Sequence, residues 1–504
     1  MLAMPAEAGK EDGTFTIALG SPVDVVDIYA APAPETAMTT SAVFNPLVAF
    51  DTRSNEYVGV IAESWSQIDD STTEFKIKPD LTFQDGSALD AEDVVYTLNF
   101  ISDPEVKFRL KSRYASFAGA EKVDDLTVRV KTRGPYPLLM ARMIGIPIYP
   151  SDTHSKLGAD HGTWGRAPIG SGPYKVVKFD ESTGIVMERW DDYKLGPLPD
   201  FKRVVFKPIL DSQTQMAEMM VGSIDALVAK SPDQVAALTS NPDFVADAIE
   251  DMFFHYIYLD AVGRSGIEAF KDVRVRQAVF HAIDRDTIRK SIVSGGTEAA
   301  DMARLCFPFQ FGCPDGGQPQ NYDPEKARAL LADAGYADGF DVQLSTWGLS
   351  RPITEAVAGY LRAVGIRASV DGLTAGAYRK KQVEGGLQAL VSNYSYGGLP
   401  DTGSVLDFFF SSPDRDYFGN PRLFELTKEA NSTLDQEKRN AMFREALDIV
   451  QDEAYILPIT KDPVVLVHNK DVSVNTEARG NILFAQFSFL ESYNEVPPIL
   501  GWAD

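Results

Sequence analysis

The first half of the chain alternates apolar and polar residues over short stretches, as half-buried β-strands do. The opening segment "TFTIALGSPVDVVD" alternates in this way and then meets a Gly-Ser turn, so we predict a strand that ends at an exposed loop. The same pattern recurs in four later segments: "TEFKIK", "LTVRVKT", "GPYKVVKF" and "IVMERW". The front half is therefore predicted to be rich in sheet.

Helical periodicity appears with clear start and stop signals. In "LDAEDVVYTLNFI", Asp90 is the predicted N-cap and Asp93 stands where a capping-box partner would. In "YDPEKARALLADAGY", Asp323 caps the helix, Pro324 takes its first position, and Gly335 ends it. These signals predict two helices with well-defined ends.

Helices and short strands alternate in the second half. The helix after Asp323 is followed by the strand "FDVQLST", the helix "ITEAVAGYLRAV" closed by Gly365, and the strand "IRASVDG". Asp435 caps a long amphipathic helix that leads into the strand "YILPIT". Such alternation is typical of βαβ units, so we predict an α/β rear lobe. The segments "MFFHYIYLDAVG" and "PVVLVHNKDV" are the expected crossings between lobes, and two crossings make one lobe discontinuous.

Length and charge narrow the classes of function. A chain of 504 residues exceeds the roughly 250–300 residues of a single core, so two or three lobes are expected. The formal net charge is −24 and no run of Lys and Arg occurs, which disfavours binding to nucleic acid or anionic membranes. The longest apolar stretch, "PLLMARMIGIPIYP", is interrupted by Arg142 and is shorter than a membrane helix. We expect no membrane span.

The N-terminus and the cysteines bear on the compartment. The triplet Ala6-Glu7-Ala8 has the small-x-small pattern of an export-signal end without the preceding apolar region, so it is either the stub of a signal or an arbitrary start. Cys306 and Cys313, with six residues between them, either close a disulfide loop in an oxidising compartment or remain free thiols. No histidine or second cysteine pair stands nearby, so no zinc site is expected.

No motif of an enzyme is found. Gly170-x-Gly172 precedes a proline and a strand, whereas a dinucleotide-binding loop leads into a helix, so "GSGPYK" is predicted to be a strand entry. His154 and His161 are too far apart for the i, i+4 pair of a metalloprotease helix. We expect no cofactor, no metal and no catalytic residue. A pair of glycosidase carboxylates leaves no motif, so a hydrolase stays open as a minor alternative.

Six collinear segments resemble a known family. They are "FNPLVAFD" with "IAESWSQIDDSTTEFKIKPDLTFQDGSALDAEDVVYTL", "APIGSGPYKVVKFD", "RVVFKPILDSQTQMAEMMVGSIDA", "FKDVRVRQAVFHAIDRDTI", "YDPEKARALLADAGYADGFDVQL" and "FFFSS". They are similar to those of the extracytoplasmic solute-binding proteins of ABC importers, family 5, the dipeptide, oligopeptide, nickel and opine-binding type. The resemblance covers nearly the whole chain.

The resemblance implies an α/β fold of the periplasmic-binding-protein type II (cluster C), with two α/β domains, an inserted subdomain and a hinged ligand cleft. Domain I would comprise residues 1–46, 166–258 and 469–504, with the inserted subdomain at 47–165. Domain II would comprise residues 259–468. The implied function is periplasmic, non-enzymatic capture of a small solute by a monomer that delivers it to an inner-membrane permease.

The resemblance also implies where a ligand is bound. The expected contacts come from the loop after the first strand, from the first crossing, and from the rear loop "YSYGGLPDTGS". The residues at these places are Gly20, Ser21, Val23, Tyr258, Asp260, Tyr394, Tyr396, Gly397, Gly398 and Asp401.

The rear loop departs from the peptide-binding pattern. Peptide-binding relatives hold the ligand's amino terminus with an aspartate, and Gly398 aligns there, while Asp401 falls at the acidic position of the following turn. A peptide ammonium would lose its counter-charge, which costs several kcal/mol in a closed cleft. Tyr394 and Tyr396 are suited to stacking on a sugar ring. The alternative is that they pack in the core on the inner face of a strand, because the i, i+2 spacing points both the same way, and we expect this of at least one of them.

A second candidate site lies in "TWGLSRPITEAV". Arg351 precedes a helix expected to start near Ile353, so its guanidinium and the helix N-terminus would converge on a phosphate or carboxylate, with Trp347 close by. We therefore expect an opine or sugar conjugate, anionic like a sugar phosphodiester. The alternative is an oligopeptide or a nickel chelate. The chelate is disfavoured because no histidine lies in the loops assigned to the cleft, although His255 is near the first crossing.

Overall fold

The computed structural model of the protein describes most of the chain. The described residues are 13–51, 54–108, 111–157, 161–250, 252–295, 302–317, 320–396, 399–474 and 487–489. The chain divides into two compact units, the first formed by Met1–Glu250 and Val464–Asp504 and the second by Asp251–Pro463. The first unit is thus made of two chain segments.

The strands of the described residues are, in chain order, β1 (Thr14–Leu19), β2 (Val48–Asp51), β3 (Glu56–Gly59), β4 (Ala62–Asp69), β5 (Thr72–Ile77), β6 (Phe117–Asp124), β7 (Thr127–Thr132), β8 (Tyr174–Asp180), β9 (Gly184–Arg189), β10 (Arg203–Pro208), β11 (Ala226–Ala229), β12 (Phe244–Ile249), β13 (Phe253–Leu259), β14 (Asp341–Trp347), β15 (Arg367–Leu373), β16 (Ala389–Ser395), β17 (Ile456–Lys461), β18 (Val464–Asn469), β19 (Val472–Val474) and β20 (Phe487–Phe489).

The helices of the same residues are α1 (Pro34–Val43), α2 (Ala91–Ser102), α3 (Leu139–Met143), α4 (Ser151–His154), α5 (His161–Trp164), α6 (Ser212–Met220), α7 (Pro232–Thr239), α8 (Val273–Ala282), α9 (Arg285–Ile292), α10 (Pro324–Asp333), α11 (Arg351–Ala363), α12 (Ala375–Val383), α13 (Gly403–Phe410), α14 (Pro421–Ala430) and α15 (Gln436–Asp452).

The first unit is built on a seven-stranded mixed sheet in the order β12-β18-β11-β1-β10-β9-β8. In this sheet β1 runs parallel to both β10 and β11, while β18 runs antiparallel to β11 and β12. A separate antiparallel sheet, β4-β5-β7-β6, belongs to the same unit and carries α2 against β6. The strands expected in the front half are present.

The second unit is built on a five-stranded mixed sheet in the order β15-β14-β16-β13-β17. β14 is parallel to β15 and β16, whereas β13 is antiparallel to β16 and β17. One face of this sheet packs on a core that includes Val357 and Leu361 of α11. The other face packs on a core that includes residues of α13, α14 and α15. The α/β architecture predicted for the rear half is confirmed.

The predicted helix caps are also found. The Asp90 side chain accepts from the Glu92 amide, and Asp93 completes the capping box of α2. Asp323 caps α10, which starts at Pro324, and Asp435 caps α15. α11 begins at Arg351 rather than near Ile353, because Pro352 occupies a favoured position in the first turn.

Candidate ligand-binding residues

The rear loop that follows β16 connects this strand to α13. Tyr394 lies on β16 and is half-buried, whereas Tyr396 lies one residue beyond the strand and is buried. The two rings meet edge to face with their centroids 4.9 Å apart, and the Tyr396 hydroxyl donates to the Leu305 carbonyl. Tyr396 is therefore a core residue, while Tyr394 keeps an exposed face. Gly397 and Gly398 lie outside the described residues.

Phe408 joins Tyr394 on this surface. It lies on α13, is 37% exposed, and its ring centroid is 4.9 Å from that of Tyr394. We call the pair Tyr394 and Phe408 the aromatic patch. The sequence analysis missed Phe408, although it stands in the apolar run "DFFFSS", where one residue of three on a helix must face away from the core.

Asp401 is held in a buried ion pair. Its carboxylate oxygens accept from Nη1 and Nη2 of Arg439, each at 3.0 Å, and one of them also accepts from the Gly403 amide at 2.7 Å. Both side chains are at least 95% buried, and the Arg439 guanidinium also lies over the rings of Phe311 and Phe443. Burial raises the pKa of Asp401, and Arg439 opposes the shift. The expected ligand contact of Asp401 is not supported, because both of its oxygens are engaged.

Tyr258 and Asp260 lie towards the opposite end of the strands of the five-stranded sheet from Tyr394. In the antiparallel pair, Phe254 faces Tyr394, while Tyr258 faces Leu390. Four residues along a strand correspond to about 13 Å. Both residues lie in the second unit, which begins at residue 251, and their place in a crossing stays a prediction.

Asp260 has a local structural role. It is fully buried, and its carboxylate accepts from the amides of Gly263, Arg264 and Ser265 at 3.0, 3.1 and 2.7 Å. The Ser265 hydroxyl donates to it at 2.6 Å. These bonds close the turn that follows β13, so the Asp260 carboxylate is satisfied within its own unit.

Trp347 and Arg351 lie towards the same end of the strands as Tyr394, because β14 and β16 are parallel, with Thr346 beside Val391. Trp347 is half-buried and stacks on Tyr378 at 5.5 Å. Arg351 is exposed, and its Nε donates to the Glu355 carboxylate at 3.0 Å. The guanidinium therefore lies along α11 towards Glu355, and the expected convergence with the helix N-terminus is not present.

His255 connects a serine and an aspartate. Its Nδ1 is 2.9 Å from the Ser350 hydroxyl, and its Nε2 is 3.0 Å from Oδ2 of Asp462. The residue types are those of a serine hydrolase, but Ser350 is fully buried, and its hydroxyl also accepts from Nδ2 of Asn393 at 3.2 Å. A substrate carbonyl cannot reach this hydroxyl, so the cluster joins β13, β16 and the start of α11 rather than forming a nucleophile.

The remaining sequence predictions fall in several places. Ser21 is exposed and Val23 is buried in the loop after β1. Cys306 and Cys313 form a disulfide, with their Cα atoms 5.7 Å apart. In the described part of the chain, no group of three or more His, Cys, Asp and Glu side chains is arranged to hold a metal ion. None of the helices described has both the length and the apolar character needed to cross a bilayer.

The sequence of the chain is similar to those of known proteins. The model of the bacterial extracellular solute-binding proteins, family 5, matches residues 56–417. The glutathione-binding protein GsiB of Salmonella paratyphi A is 25% identical over 493 residues, which cover 94% of this chain and 93% of that protein.

Two solved structures show the same fold. The ABC transporter substrate-binding protein CtaP of Listeria monocytogenes superposes with a TM-score of 0.83 at 20% identity, covering 96% of this chain and 100% of that chain. MoaA of A. tumefaciens R10, in complex with mannopinic acid, gives a TM-score of 0.73 at 20% identity, covering 94% and 99%. The expected type II fold is confirmed. The family model matches well over half of the sequence, so this chain belongs to the bacterial extracellular solute-binding proteins of family 5, the substrate-binding components of ABC importers.

Proposed function

We propose that this protein is periplasmic and monomeric, and that it captures an anionic opine or sugar conjugate, such as a sugar phosphodiester, for an inner-membrane permease. Membership of the solute-binding family supports the role in import. The class of solute is argued from the residues of the second unit.

The observation that supports this class of solute is that the Asp401 carboxylate is already paired with Arg439. A free peptide brings an ammonium group, which needs a counter-charge once it is removed from water. Both carboxylate oxygens of Asp401 bind Arg439, and Gly398 stands where the resemblance to peptide-binding proteins of the family leads us to expect an aspartate. The rear loop therefore lacks a free carboxylate for a peptide amino terminus.

The surface beside this loop supports a ring-bearing, anionic solute. The aromatic patch of Tyr394 and Phe408 offers flat apolar faces of the kind that stack on sugar rings. Arg351 lies towards the same end of the strands. Its side chain is 66% exposed, and its ion pair with Glu355 is exposed as well. An exposed pair of this kind is worth about 1 kcal/mol or less, so a ligand anion can replace it.

A second candidate is a peptide-binding function. The observation that favours it is the similarity to the glutathione-binding protein GsiB. A nickel chelate is the weaker form of this alternative, because His255 is buried between Ser350 and Asp462.

A thermal-shift screen tests the proposal. The purified protein is heated with mannopinic acid, sugar phosphates, glutathione, free dipeptides and a nickel–histidine chelate. A ligand at 100-fold its Kd adds about 2.7 kcal/mol of stability. We expect the opine or a sugar phosphate to raise the unfolding midpoint. If free peptides alone raised it, the proposed class of solute would be wrong and the second candidate would be correct.

A further inference from the structure

A lysine that no sequence pattern singled out lies over the loop after β1. In the seven-stranded sheet, β1 and β11 are parallel neighbours, with Ala18 beside Leu227, so their carboxyl ends share one edge. Gly20 follows β1 at this edge, and Lys230 follows β11. A Cβ atom on Gly20 would lie 2.7 Å from Nζ of Lys230 and 3.0 Å from its Cε. The ammonium group therefore rests directly on the glycine.

Lys230 is an exposed residue, and within the described residues its ammonium group forms no salt bridge. Acidic side chains are present on the surrounding segments, namely Asp24, Asp211 and Asp233. Asp211 is used as the N-cap of α6, where it accepts from the Thr214 amide at 2.8 Å, and Asp233 stands in the first turn of α7. A cation without a partner in a chain of net charge −24 is available to an incoming anion.

A buried amide next to Lys230 also lacks a partner. Oε1 of Gln234 accepts from the Lys230 backbone amide at 2.9 Å, which fixes the orientation of the carboxamide because a backbone N–H can only donate. Gln234 is 5% exposed, and its Nε2 has no hydrogen-bond partner among the described residues. A buried N–H donor without an acceptor is costly, so its presence beside a free ammonium points to a missing acceptor.

The start of α7 adds a third favourable group. Ser231 is its N-cap and accepts from the Gln234 amide, so the positive end of the helix lies at the same edge as Lys230. Helix N-termini stabilise anions because the helix dipole is positive there. Ligands of open α/β sheets bind outside the carboxyl ends of the strands, where this corner lies.

We propose that Lys230, Gln234 and the start of α7 form an anion site that binds a carboxylate or phosphate of the transported solute, with Gly20 allowing the ligand and the ammonium to approach the backbone. This inference rests on the proposed function, and it places one contact for the negative charge in the first unit. The acceptor oxygens of the ligand satisfy Nε2 of Gln234 and pair with Nζ of Lys230.

Two variants and two controls test the site. Lys230→Met removes the charge and keeps most of the side-chain volume, and Gly20→Ala displaces the flexible end of Lys230 without straining the backbone, since Gly20 has no positive φ. Lys178→Met removes an exposed lysine from β8 of the same sheet, and Gly134→Ala adds a methyl group where nothing lies within 4 Å. Unfolding midpoints within about 2 °C of wild type establish that all four fold.

Calorimetry is performed with three acid probes and counterparts that lack the acidic groups: mannopinic acid and its diamide, glutathione and its diamide, and glucose 6-phosphate and glucose. For the acid that binds wild type, we expect Lys230→Met to raise the Kd at least tenfold, which is about 1.4 kcal/mol. We expect Gly20→Ala to raise the same Kd severalfold. The controls should bind as wild type does, and raising the salt concentration should weaken wild type more than Lys230→Met.

The outcomes separate this inference from the function on which it rests. If mannopinic acid or glucose 6-phosphate binds wild type and Lys230→Met with the same Kd, the anion site is wrong while the proposed function stands. If glutathione alone binds, with the same Kd for both proteins, the anion site and the proposed class of solute are both wrong. If a counterpart that lacks the acidic groups binds as tightly as its acid, the anion site is also wrong. If none of the six probes binds wild type, both the proposed function and the anion site are overturned.

Discussion

The buried ion pair with Arg439 gives Asp401 a structural role rather than a ligand contact. An aspartate in a Gly- and Pro-rich loop has the composition of a binding loop, and the sequence does not show that a helix 38 residues later supplies its partner. Two charges removed from water need both Coulomb attraction and hydrogen bonds to be tolerated. Asp401 obtains both from Arg439 and from the Gly403 amide.

Replacing Asp401 is therefore expected to destabilise the second unit rather than to alter binding alone. Asp401→Ala leaves the Arg439 guanidinium buried without a counter-charge, which costs about 3–5 kcal/mol. The control is Glu384→Ala, which removes one partner of the exposed pair with Lys380 and should cost about 1 kcal/mol or less. Urea unfolding measures both, and equal costs for the two variants would contradict the structural role.

Lys78 gives a prediction for pH. Burial lowers the pKa of Lys78 to about 8, with Glu63 opposing the shift, and its Nζ donates to the Gly59 carbonyl. The unfolded chain has a pKa near 10.4 at lysine and binds more protons than the folded chain between these values, so stability gains from this group as pH rises from about 8 to about 10. Lys78→Met should remove that gain. Identical pH profiles of unfolding free energy for the two proteins would refute it.

At the scale of elements, the two glycines of "GSGPYK" have a packing role rather than a ligand-binding one. A Cβ on Gly170 would lie 1.9 Å from the Val43 carbonyl oxygen, and one on Gly172 would lie 2.5 Å from the Val43 carbonyl carbon. The Gly172 amide donates to the same carbonyl at 2.7 Å. The two glycines therefore let the chain pass against the end of α1 before β8 begins, which confirms the predicted strand entry.

Adding a methyl group where Gly170 passes the end of α1 should destabilise the first unit. Gly170→Ala forces a backbone shift against Val43, and overpacking of this kind costs about 1–3 kcal/mol or more. Gly134→Ala is the control, because an added Cβ meets nothing within 4 Å there. Thermal unfolding should show a lower midpoint for Gly170→Ala than for Gly134→Ala, and matching midpoints would mean that the close approach is relieved without cost.

The sequence predicted those elements whose signals are local and missed those that depend on long-range pairing. The caps Asp90, Asp323 and Asp435 act within one turn, and all three were predicted. The placement of Tyr258 depended on the register between β13 and β16, which no local pattern specifies. Lys230 was missed for the same reason, because its contact with Gly20 arises from pairing across about 200 residues of chain.

At the scale of the whole molecule, two units are built from one discontinuous and one continuous part of the chain. The divisions between the two units fall immediately before β13 and β18. The first unit carries the proposed anion-binding corner, and the second unit carries the aromatic patch.

The most direct test of the proposed solute is to identify what the protein takes up from a natural mixture. The purified, ligand-free protein is incubated with a small-molecule extract of bacterial cells and their medium, washed, and examined by native mass spectrometry, and the released solute is identified by fragmentation. We predict an anionic, non-peptide solute that carries a carboxylate or phosphate and a polyol or sugar moiety. A peptide with a free amino terminus as the bound species would contradict the account.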